Sequence, residues 1–361
     1  MNSNSSKKPA LQDYTRAELA NLIKPAFRAK QIYSWLYHQY VEDFEAMKNI
    51  PKALREELKE RFRIAPLKIV RKEQSRDGSI KYLFELESGE TVEAVLLLMK
   101  PKQYHEDGSI KHHERYTVCI SCQVGCKVGC SFCLTAKSGF IANLSAGEIV
   151  EQVRLIKKDN NIDANRRLNL VYMGMGEPLD NLEAVAQSSR IFADADGMAI
   201  APHRQTISTS GLSSKIVKLG KLDLGVNLAI SLHAVDDELR EQLMPINKAY
   251  NIQSIIDAVK AFPVNDRKRV MFEYLVIKDV NDDIDSAKKL LSLLNGIKSK
   301  VNLIYFNPYG GTTYQRPEEK TMKAFQSYLT QHGLHCTIRE SKGLDISAAC
   351  GQLRDNELKD A

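Results

Sequence analysis

The segment CQVGCKVGCSFC places Cys126, Cys130 and Cys133 in the spacing CxxxCxxC. Thiolates are soft ligands that bind iron–sulfur clusters and zinc. Three thiolates on one short loop can hold three irons of a four-iron cubane and leave the fourth iron open to a chelating molecule. The spacing therefore predicts a [4Fe-4S] cluster on these three residues.

A structural zinc ion is the alternative occupant of this loop. Zinc sites of that kind are closed by four ligands, often from paired CxxC elements, and Cys119 or Cys122 could supply the fourth thiolate. Phe132 precedes the last cysteine, and the loop follows the first strand of an alternating repeat. Both features favour the cluster, and the zinc site stays open as the second interpretation.

Polar residues recur at the points where predicted strands end. The run MGMGEP closes the second strand, where Gly174 and Gly176 permit close backbone approach and Glu177 directs a carboxylate toward the mouth of the fold. Taken singly, such residues are more often caps or core groups. Their common location favours a binding site for a polar cofactor. The other positions are Ser208, Ser231, Leu232, His233 and Asn307.

Beyond Tyr116 the sequence alternates between strand-like and helix-like patterns. Strand-like runs such as VNLAISLHA and RVMFEYLVI are separated by helical patterns such as IQSIIDAVKAF. About six repeats of this kind predict an α/β fold, with a parallel sheet and its helices outside. Six units rather than eight predict a partial (βα)6 TIM-like barrel over residues 111–345. It would be open on one side, with its working residues at the carboxyl ends of the strands.

Shorter regions flank the predicted barrel. The first has apolar residues three and four positions apart, with Pro25 and Pro51 as breakers, which is typical of short helices. The second is rich in β-forming residues and has DG and SG turns. The predicted regions are a disordered leader (1–15), a helical accessory domain (16–66), a β-rich linker (67–110) and a C-terminal tail (346–361).

Charge and composition restrict the class of protein. The net charge is +6, and residues 1–66 carry twelve basic and eight acidic side chains, so the excess is concentrated in a small part of the chain. A basic appendage favours nucleic acid as the partner. Five of the seven cysteines lie between Cys119 and Cys133, which suits a metal site in a reducing compartment. Neither a secretory signal nor a membrane span is evident, so we expect the protein in the cytoplasm. We also expect a monomer.

Eight sequence runs carry a resemblance to a known family. In order they are GETVEAV, CISCQVGCKVGCSFC, YMGMGEPL, ISTSG, AISLHA, LMPINKAYN, NLIYFNP and ISAACGQL. The cysteine loop resembles that of the radical S-adenosylmethionine (SAM) superfamily. Together the runs resemble the RlmN and Cfr family of RNA adenosine methyltransferases, and the resemblance covers roughly residues 20–355.

The resemblance implies cofactors and roles for the residues above. The open iron of the cluster would chelate SAM, of which two molecules are used in each turnover. It implies that Cys350 becomes S-methylcysteine, that Cys119 is the resolving thiol that forms a transient disulfide with Cys350, and that Glu93 is the proton acceptor. The residues implied to contact SAM are Gly176, Glu177, Ser208, Ser231, Leu232, His233 and Asn307.

Adenine chemistry gives these roles a purpose. Carbon 2 lies between two ring nitrogens and is electron-poor, so it cannot attack the methyl group of SAM directly. A cysteine thiolate accepts a methyl group readily. A radical formed from a second SAM would then take hydrogen from methyl-Cys350, and the resulting carbon radical would add to the ring.

Several alternatives remain at this point. The family acts on 23S ribosomal RNA, and its RlmN branch, whose pattern these runs match more closely, also acts on tRNA. The runner-up is a Cfr-like enzyme that modifies C8. A radical SAM activase and a zinc-containing RNA-binding module are the other options. A low-potential donor such as flavodoxin is the expected source of electrons.

Overall fold

The computed structural model describes residues 8–64, 67–163, 166–264 and 268–353. A ten-stranded sheet runs through these residues and is accompanied by two small two-stranded sheets. The strands are β1 (Leu67–Gln74), β2 (Ile80–Leu86), β3 (Thr91–Lys100), β4 (Gln103–Tyr104), β5 (Ile110–His112), β6 (Arg115–Cys119), β7 (Gln123–Gly125), β8 (Phe140–Asn143), β9 (Asn169–Tyr172), β10 (Gln205–Thr209), β11 (Asn227–Ser231), β12 (Val270–Val276), β13 (Ser299–Tyr305) and β14 (Cys336–Arg339).

Helices separate the parallel strands and cover the sheet. The longest, α5, begins with a capping box in which Ser145 and Glu148 bond to each other's backbone N–H groups. The helices are α1 (Arg16–Leu22), α2 (Arg28–Tyr37), α3 (Lys52–Arg61), α4 (Leu134–Lys137), α5 (Ala146–Asp159), α6 (Leu182–Ala193), α7 (Ser213–Lys221), α8 (Asp237–Leu243), α9 (Ile252–Lys260), α10 (Ile284–Leu293) and α11 (Glu319–Gln331). None of the helices formed by the described residues combines the length and apolar character that a membrane span needs.

The large sheet has the order β1-β2-β3-β6-β9-β10-β11-β12-β13-β14. From β6 to β14 every neighbouring pair is parallel. The six predicted barrel strands are confirmed as β6 and β9 to β13, and the α/β fold with an open parallel sheet is confirmed with them. A seventh parallel strand, β14, follows α11. The sequence prediction lacks this strand because it has only four residues, of which one, Cys336, is buried.

The β-rich segment is continuous with the barrel sheet. Strands β1, β2 and β3 are antiparallel to one another, and β3 pairs antiparallel with β6. Val95 of β3 is opposite Cys119 of β6, which brings the predicted linker directly beside the first barrel strand. Only β4 and β5 form a separate hairpin within this segment.

The N-terminal helices pack against the outside of the barrel. A capping box between Thr15 and Glu18 starts α1. Asp13 accepts a hydrogen bond from Gly147 N at the start of α5, at 2.7 Å. Residues 8–15, which were predicted to belong to a disordered leader, are part of the fold. Leu11 is fully buried and its N–H donates to Arg63 O. Residues 1–7 lie outside the described residues.

Candidate active site

The carboxyl ends of the parallel strands surround a cavity. Its walls come from the cysteine loop after β6 and from the ends of β9 to β14. This is the edge at which barrels of parallel strands carry their working residues. The lining side chains with chemical potential are Cys126, Cys130, Cys133, Glu177, Ser208, Ser231, His233, Glu273, Arg339 and Cys350.

Backbone hydrogen bonds anchor the loop that carries the three spaced cysteines. Cys126 N donates to Gly139 O at 2.8 Å, across the hairpin of β7 and β8. Ser131 N donates to Leu243 O at 2.9 Å, which ties the middle of the loop to the end of α8. Cys133 immediately precedes α4. The loop therefore presents its three sulfurs to the cavity from a fixed position.

The chemistry of these thiols fits an iron–sulfur cluster. Burial raises the pKa of Cys126 to about 12 and that of Cys130 well above its ordinary value, and the neighbouring cysteines add to both effects. Bound metal would displace these protons. Among the described residues, no three His, Cys, Asp or Glu side chains are grouped so that they could bind one metal ion. A cubane has no such requirement, because each cysteine binds a separate iron.

Glu177 joins two strand ends from inside the cavity wall. One carboxylate oxygen accepts a hydrogen bond from Leu179 N at 3.0 Å, and the other accepts one from Ser210 N at 2.6 Å. Burial raises the pKa of this carboxyl group although these bonds oppose the rise. Glu177 therefore holds the loops after β9 and β10 together and also presents an acceptor to the cavity.

The two glycines before Glu177 are required by close packing. A Cβ added at Gly174 would lie 2.7 Å from Ile120 O. Gly176 has a φ of +101°, and a Cβ there would lie 2.6 Å from Gln123 Cβ. Both distances are shorter than van der Waals contact. The predicted close approach of the backbone at MGMGEP is therefore a property of the fold.

Ser208, Ser231 and His233 line the cavity together. His233 Nδ1 accepts a hydrogen bond from Leu275 N at 3.0 Å, so Nε2 carries the proton of a neutral ring. Burial lowers the pKa of His233 to about 3. Its ring packs edge-on against Phe132 of the cysteine loop, with centroids 5.0 Å apart. A neutral histidine in this position can donate a hydrogen bond to a bound cofactor.

Leu232 and Asn307 are not among the residues that line this cavity. The Leu232 side chain is fully buried, and its N–H donates to Glu273 O. Asn307 is also buried; its Oδ1 accepts from Arg316 and Ser341, while its Nδ2 has no hydrogen-bond partner among the residues that the structure describes. A buried amide donor without a partner is a group that a ligand could satisfy.

Cys119 and Cys350 face a second, smaller cavity. Cys350 also lines the first cavity, so it stands at the boundary between the two. Both thiols are free, and burial raises the pKa of Cys119 to about 12. The fold thus brings together two cysteines that are about 230 residues apart in the sequence.

Glu93 lies on β3 and its side chain has no exposed surface. It does not line either cavity. Ser121 Oγ donates to Glu93 O at 2.5 Å, and the Glu93 carboxylate lies 3.4 Å from Lys81 Nζ. Glu93 and Cys119 lie on the same face of adjacent strands, since Cys119 is opposite Val95.

Three charged residues of the site have no recognisable signal in the sequence. Glu273 and Arg339 line the main cavity, and the proximity of Cys350 raises the pKa of Arg339. Arg240 is fully buried and donates to the carbonyl oxygens of Ser210 and Ser231. Their place in the site can be recognised only in the folded structure, where strands from distant parts of the chain are adjacent.

Two cysteines, Cys122 and Cys336, lie in the core. Cys119 and Cys122 are themselves spaced as CxxC. Only Cys119 faces a cavity, whereas the Cys122 sulfur lies 3.7 Å from Met175 O in the core. Cys336 is buried in β14.

Two family models match the chain. Residues 10–64 match the model described as the N-terminal domain of ribosomal RNA large subunit methyltransferase, which coincides with the N-terminal helices. Residues 120–291 match the radical SAM superfamily, and this range includes the three spaced cysteines.

Curated relatives match almost the whole chain. A protein of Sulfurovum sp. named dual-specificity RNA methyltransferase RlmN is 77% identical over 98% of both chains. A protein of the same name from Aliarcobacter butzleri is 65% identical over 97% of both chains. Among solved structures, a radical SAM methyltransferase from Sphaerobacter thermophilus has a TM-score of 0.86 at 42% identity, covering 96% of this chain and 99% of that one.

Proposed function

Since this chain belongs to the RlmN family of dual-specificity RNA methyltransferases, we propose that it methylates C2 of an adenosine in 23S rRNA and in tRNA, with Cys350 as the methyl carrier. The chain is a radical SAM enzyme, and a [4Fe-4S] cluster and SAM are its cofactors. The observation that carries the proposal is the position of Cys350, which borders both the cavity of the cysteine loop and the cavity of Cys119.

Cys126, Cys130 and Cys133 would hold the cluster, which supplies the electron that cleaves SAM and so generates a carbon radical. The surrounding residues bind and orient the cofactor. Glu177 offers acceptors for an ammonium group, and neutral His233 offers a donor. The other residues assigned to SAM are Gly176, Ser208, Ser231, Leu232 and Asn307, the last with its unpaired Nδ2.

Cys350 would act twice. Its thiolate first accepts a methyl group and forms a carbon–sulfur bond. The methyl group would give up a hydrogen atom to the SAM-derived radical, and its carbon would add to the adenine ring while remaining attached to Cys350. The ring radical formed in this way would lose one electron, which can return to the oxidised cluster. Glu93 then accepts the ring proton. Cys119 attacks the Cys350 sulfur, so that the carbon–sulfur bond breaks and a disulfide forms, which must be reduced before the next turnover.

The surroundings of Cys119 support the resolving role. Burial raises the pKa of this thiol to about 12 and so favours its protonated, less nucleophilic form. Arg339 lies within electrostatic range of both Cys119 and Cys350 and would stabilise a thiolate as it forms. The Glu93 carboxylate is covered in this structure, so the proposal requires the cover to open when RNA enters.

The domains would divide the remaining tasks. We propose that residues 16–66 bind RNA and that the segment from residue 346 onward presents Cys350; residues 354–361 of this tail lie outside the described residues. Phe27 is 58% exposed beside Arg28, a combination that can stack on a base. Lys30 pairs with Asp196 and would be less available to RNA phosphates. A low-potential donor such as flavodoxin, a monomeric state and a cytoplasmic location complete the proposal.

Mass spectrometry of RNA digested after reaction tests the proposed product. The purified enzyme, reconstituted without oxygen, is incubated with 23S rRNA fragments and with tRNA, and the nucleosides are compared with authentic standards. We expect 2-methyladenosine from both RNAs. Finding 8-methyladenosine alone would replace the proposal with the Cfr-like alternative. A protein that takes up one zinc ion and no iron would exclude the radical mechanism.

A further inference from the structure

Charged side chains line one face of the antiparallel strands that lead into the barrel. Glu73 of β1 is opposite Lys81 of β2. Lys81, Val95 and Cys119 are paired in one row across β2, β3 and β6. Glu93 is two residues before Val95 and therefore shares this face with Lys81 and Cys119. Two carboxylates and a lysine thus share one face of the sheet with the proposed resolving thiol, and Glu93 is on the strand adjacent to it.

Lys81 bridges the two carboxylates. Its Nζ lies 3.4 Å from Glu93 Oε1 and 3.5 Å from Glu73 Oε1. The Lys81 side chain is only 7% exposed and that of Glu93 is 0% exposed, whereas that of Glu73 is 34% exposed. A buried ammonium group is costly unless it is paired. The three groups form a continuous path from a buried carboxylate to solvent.

We propose that Lys81 is a positioning residue for methyl transfer: it keeps Glu93 ionised and ready to accept the ring proton, and it connects Glu93 to Glu73 at the surface. This inference rests on the proposed function, because it requires Glu93 to be the base. The proton removed from the ring goes to Glu93. Lys81 passes one of its own protons to Glu73 and takes the proton from Glu93, and Glu73 releases a proton to water. All three groups return to their starting charges.

The other charged groups on this face do not replace Lys81. Arg71 lies 3.1 Å from Glu73 through its Nε, at the outer end of the path. Arg339 interacts with Cys119 and Cys350, at the β6 end of the row, whereas Glu73 is at its β1 end. The loop that packs against Glu93 contributes Met175, whose sulfur lies 3.3 Å from Glu93 N, and Glu177, whose oxygens accept backbone N–H groups.

Single-turnover kinetics test the role of Lys81. Enzyme carrying methyl-Cys350 is mixed with RNA and SAM, and the crosslinked protein–RNA adduct and the released methylated RNA are followed separately. In Lys81→Met we expect the adduct to form at the wild-type rate and to resolve at least tenfold more slowly at pH 7. The half-maximal pH for resolution should rise by about one pH unit or more, because a nearby cation favours the carboxylate.

Two further variants serve as controls. Lys81→Arg keeps the charge but cannot release a proton, so it should restore the pH profile while resolution stays slower than in the wild type. Lys72→Met removes a lysine of the neighbouring strand β1, together with its ion pair with Asp159. Because Lys72 is opposite Tyr82 it lies on the other face of the sheet, so resolution in this variant should match the wild type.

The iron-free protein gives a second readout that needs no turnover. Without Lys81 the buried Glu93 carboxylate has lost a compensating charge, so Lys81→Met should lose stability relative to wild type as the pH rises from about 5 to 8. The double variant Lys81→Met with Glu93→Gln should be less destabilised than the sum of the two single variants. Urea midpoints measure both effects.

The outcomes distinguish a failure of the Lys81 role from a failure of Glu93 as the base in the proposed function. Wild-type resolution and an unshifted pH profile in Lys81→Met would overturn the role of Lys81 if Glu93→Gln accumulates adduct. Rapid resolution in Glu93→Gln would instead remove Glu93 as the base. If Lys81→Met does not fold, Glu73→Gln at the exposed end of the path should still slow resolution, and a wild-type rate in that variant would reject the path.

Discussion

Replacing Gly176 with alanine tests the close approach that holds Glu177 at the cavity. Gly176 has a φ of +101°, and an added Cβ would lie 2.6 Å from Gln123 Cβ and 2.9 Å from Gln123 N. The backbone conformation costs about 1–3 kcal/mol for a residue with a side chain. Overpacking adds about 1–3 kcal/mol, because a backbone atom cannot rotate away. We therefore expect a loss of about 2–6 kcal/mol in the free energy of unfolding, measured by urea denaturation.

Two other glycines separate these contributions. Gly89 has a φ of +85° but no atom within 4 Å of an added Cβ, so Gly89→Ala carries only the backbone cost. Gly310 has neither feature, and Gly310→Ala should stay within about 1 kcal/mol of wild type. Gly176→Ala should exceed Gly89→Ala by about 1–3 kcal/mol. Equal losses in the two variants would refute the argument from contact with Gln123.

Cys119→Ala is expected to accumulate protein crosslinked to RNA on denaturing gels, whereas Cys350→Ala should form no crosslink and no methylated RNA; an absence of adduct in Cys119→Ala would count against its resolving role. His233 has a pKa lowered to about 3 by burial, while in the unfolded chain it titrates near 6.5. Stability should therefore fall as the pH decreases from about 6.5 toward 3, and His233→Asn should flatten this dependence in pH-dependent urea midpoints. Arg240→Met leaves buried carbonyl groups such as Ser210 O without a donor. It should lower the free energy of unfolding by about 3 kcal/mol or more, with incomplete recovery in Arg240→Lys.

The placements at the cavity that could be inferred from the sequence are local in the chain or follow from strand direction. Cys126, Cys130 and Cys133 lie within eight positions, so their convergence needs only a tight loop. Ser208 and His233 are separated in sequence, yet each lies at the carboxyl end of a parallel strand, and parallel strands place these ends at one edge. Both residues line the cavity.

The features that were missed depend on contacts between distant segments. Strand β14 is too short to show a period of its own, and without it Arg339 has no recognisable position in the fold. Leu11 lies in a polar segment, but it is fully buried beside Arg63 and α5. Lys81 looks like an ordinary strand lysine until the register places it between Glu73 and Glu93.

The position of Cys350 combines both kinds of information. The sequence run AACGQL carries no structural signal that points to the cysteine loop. In the fold, Leu134 N donates to Gly351 O at 2.8 Å, and Thr135 Oγ1 donates to Leu353 O at 2.6 Å. On the other side, Asp345 accepts a hydrogen bond from Ser75 Oγ at 2.6 Å, near the turn between β1 and β2. The segment is thus held at one end by α4, which follows the three spaced cysteines, and at the other by the turn between β1 and β2, in the sheet that also contains Glu93. Under the proposed mechanism, Cys350 fastened in this way would react with a radical from one cavity and with Cys119 at the other without a large movement of the barrel.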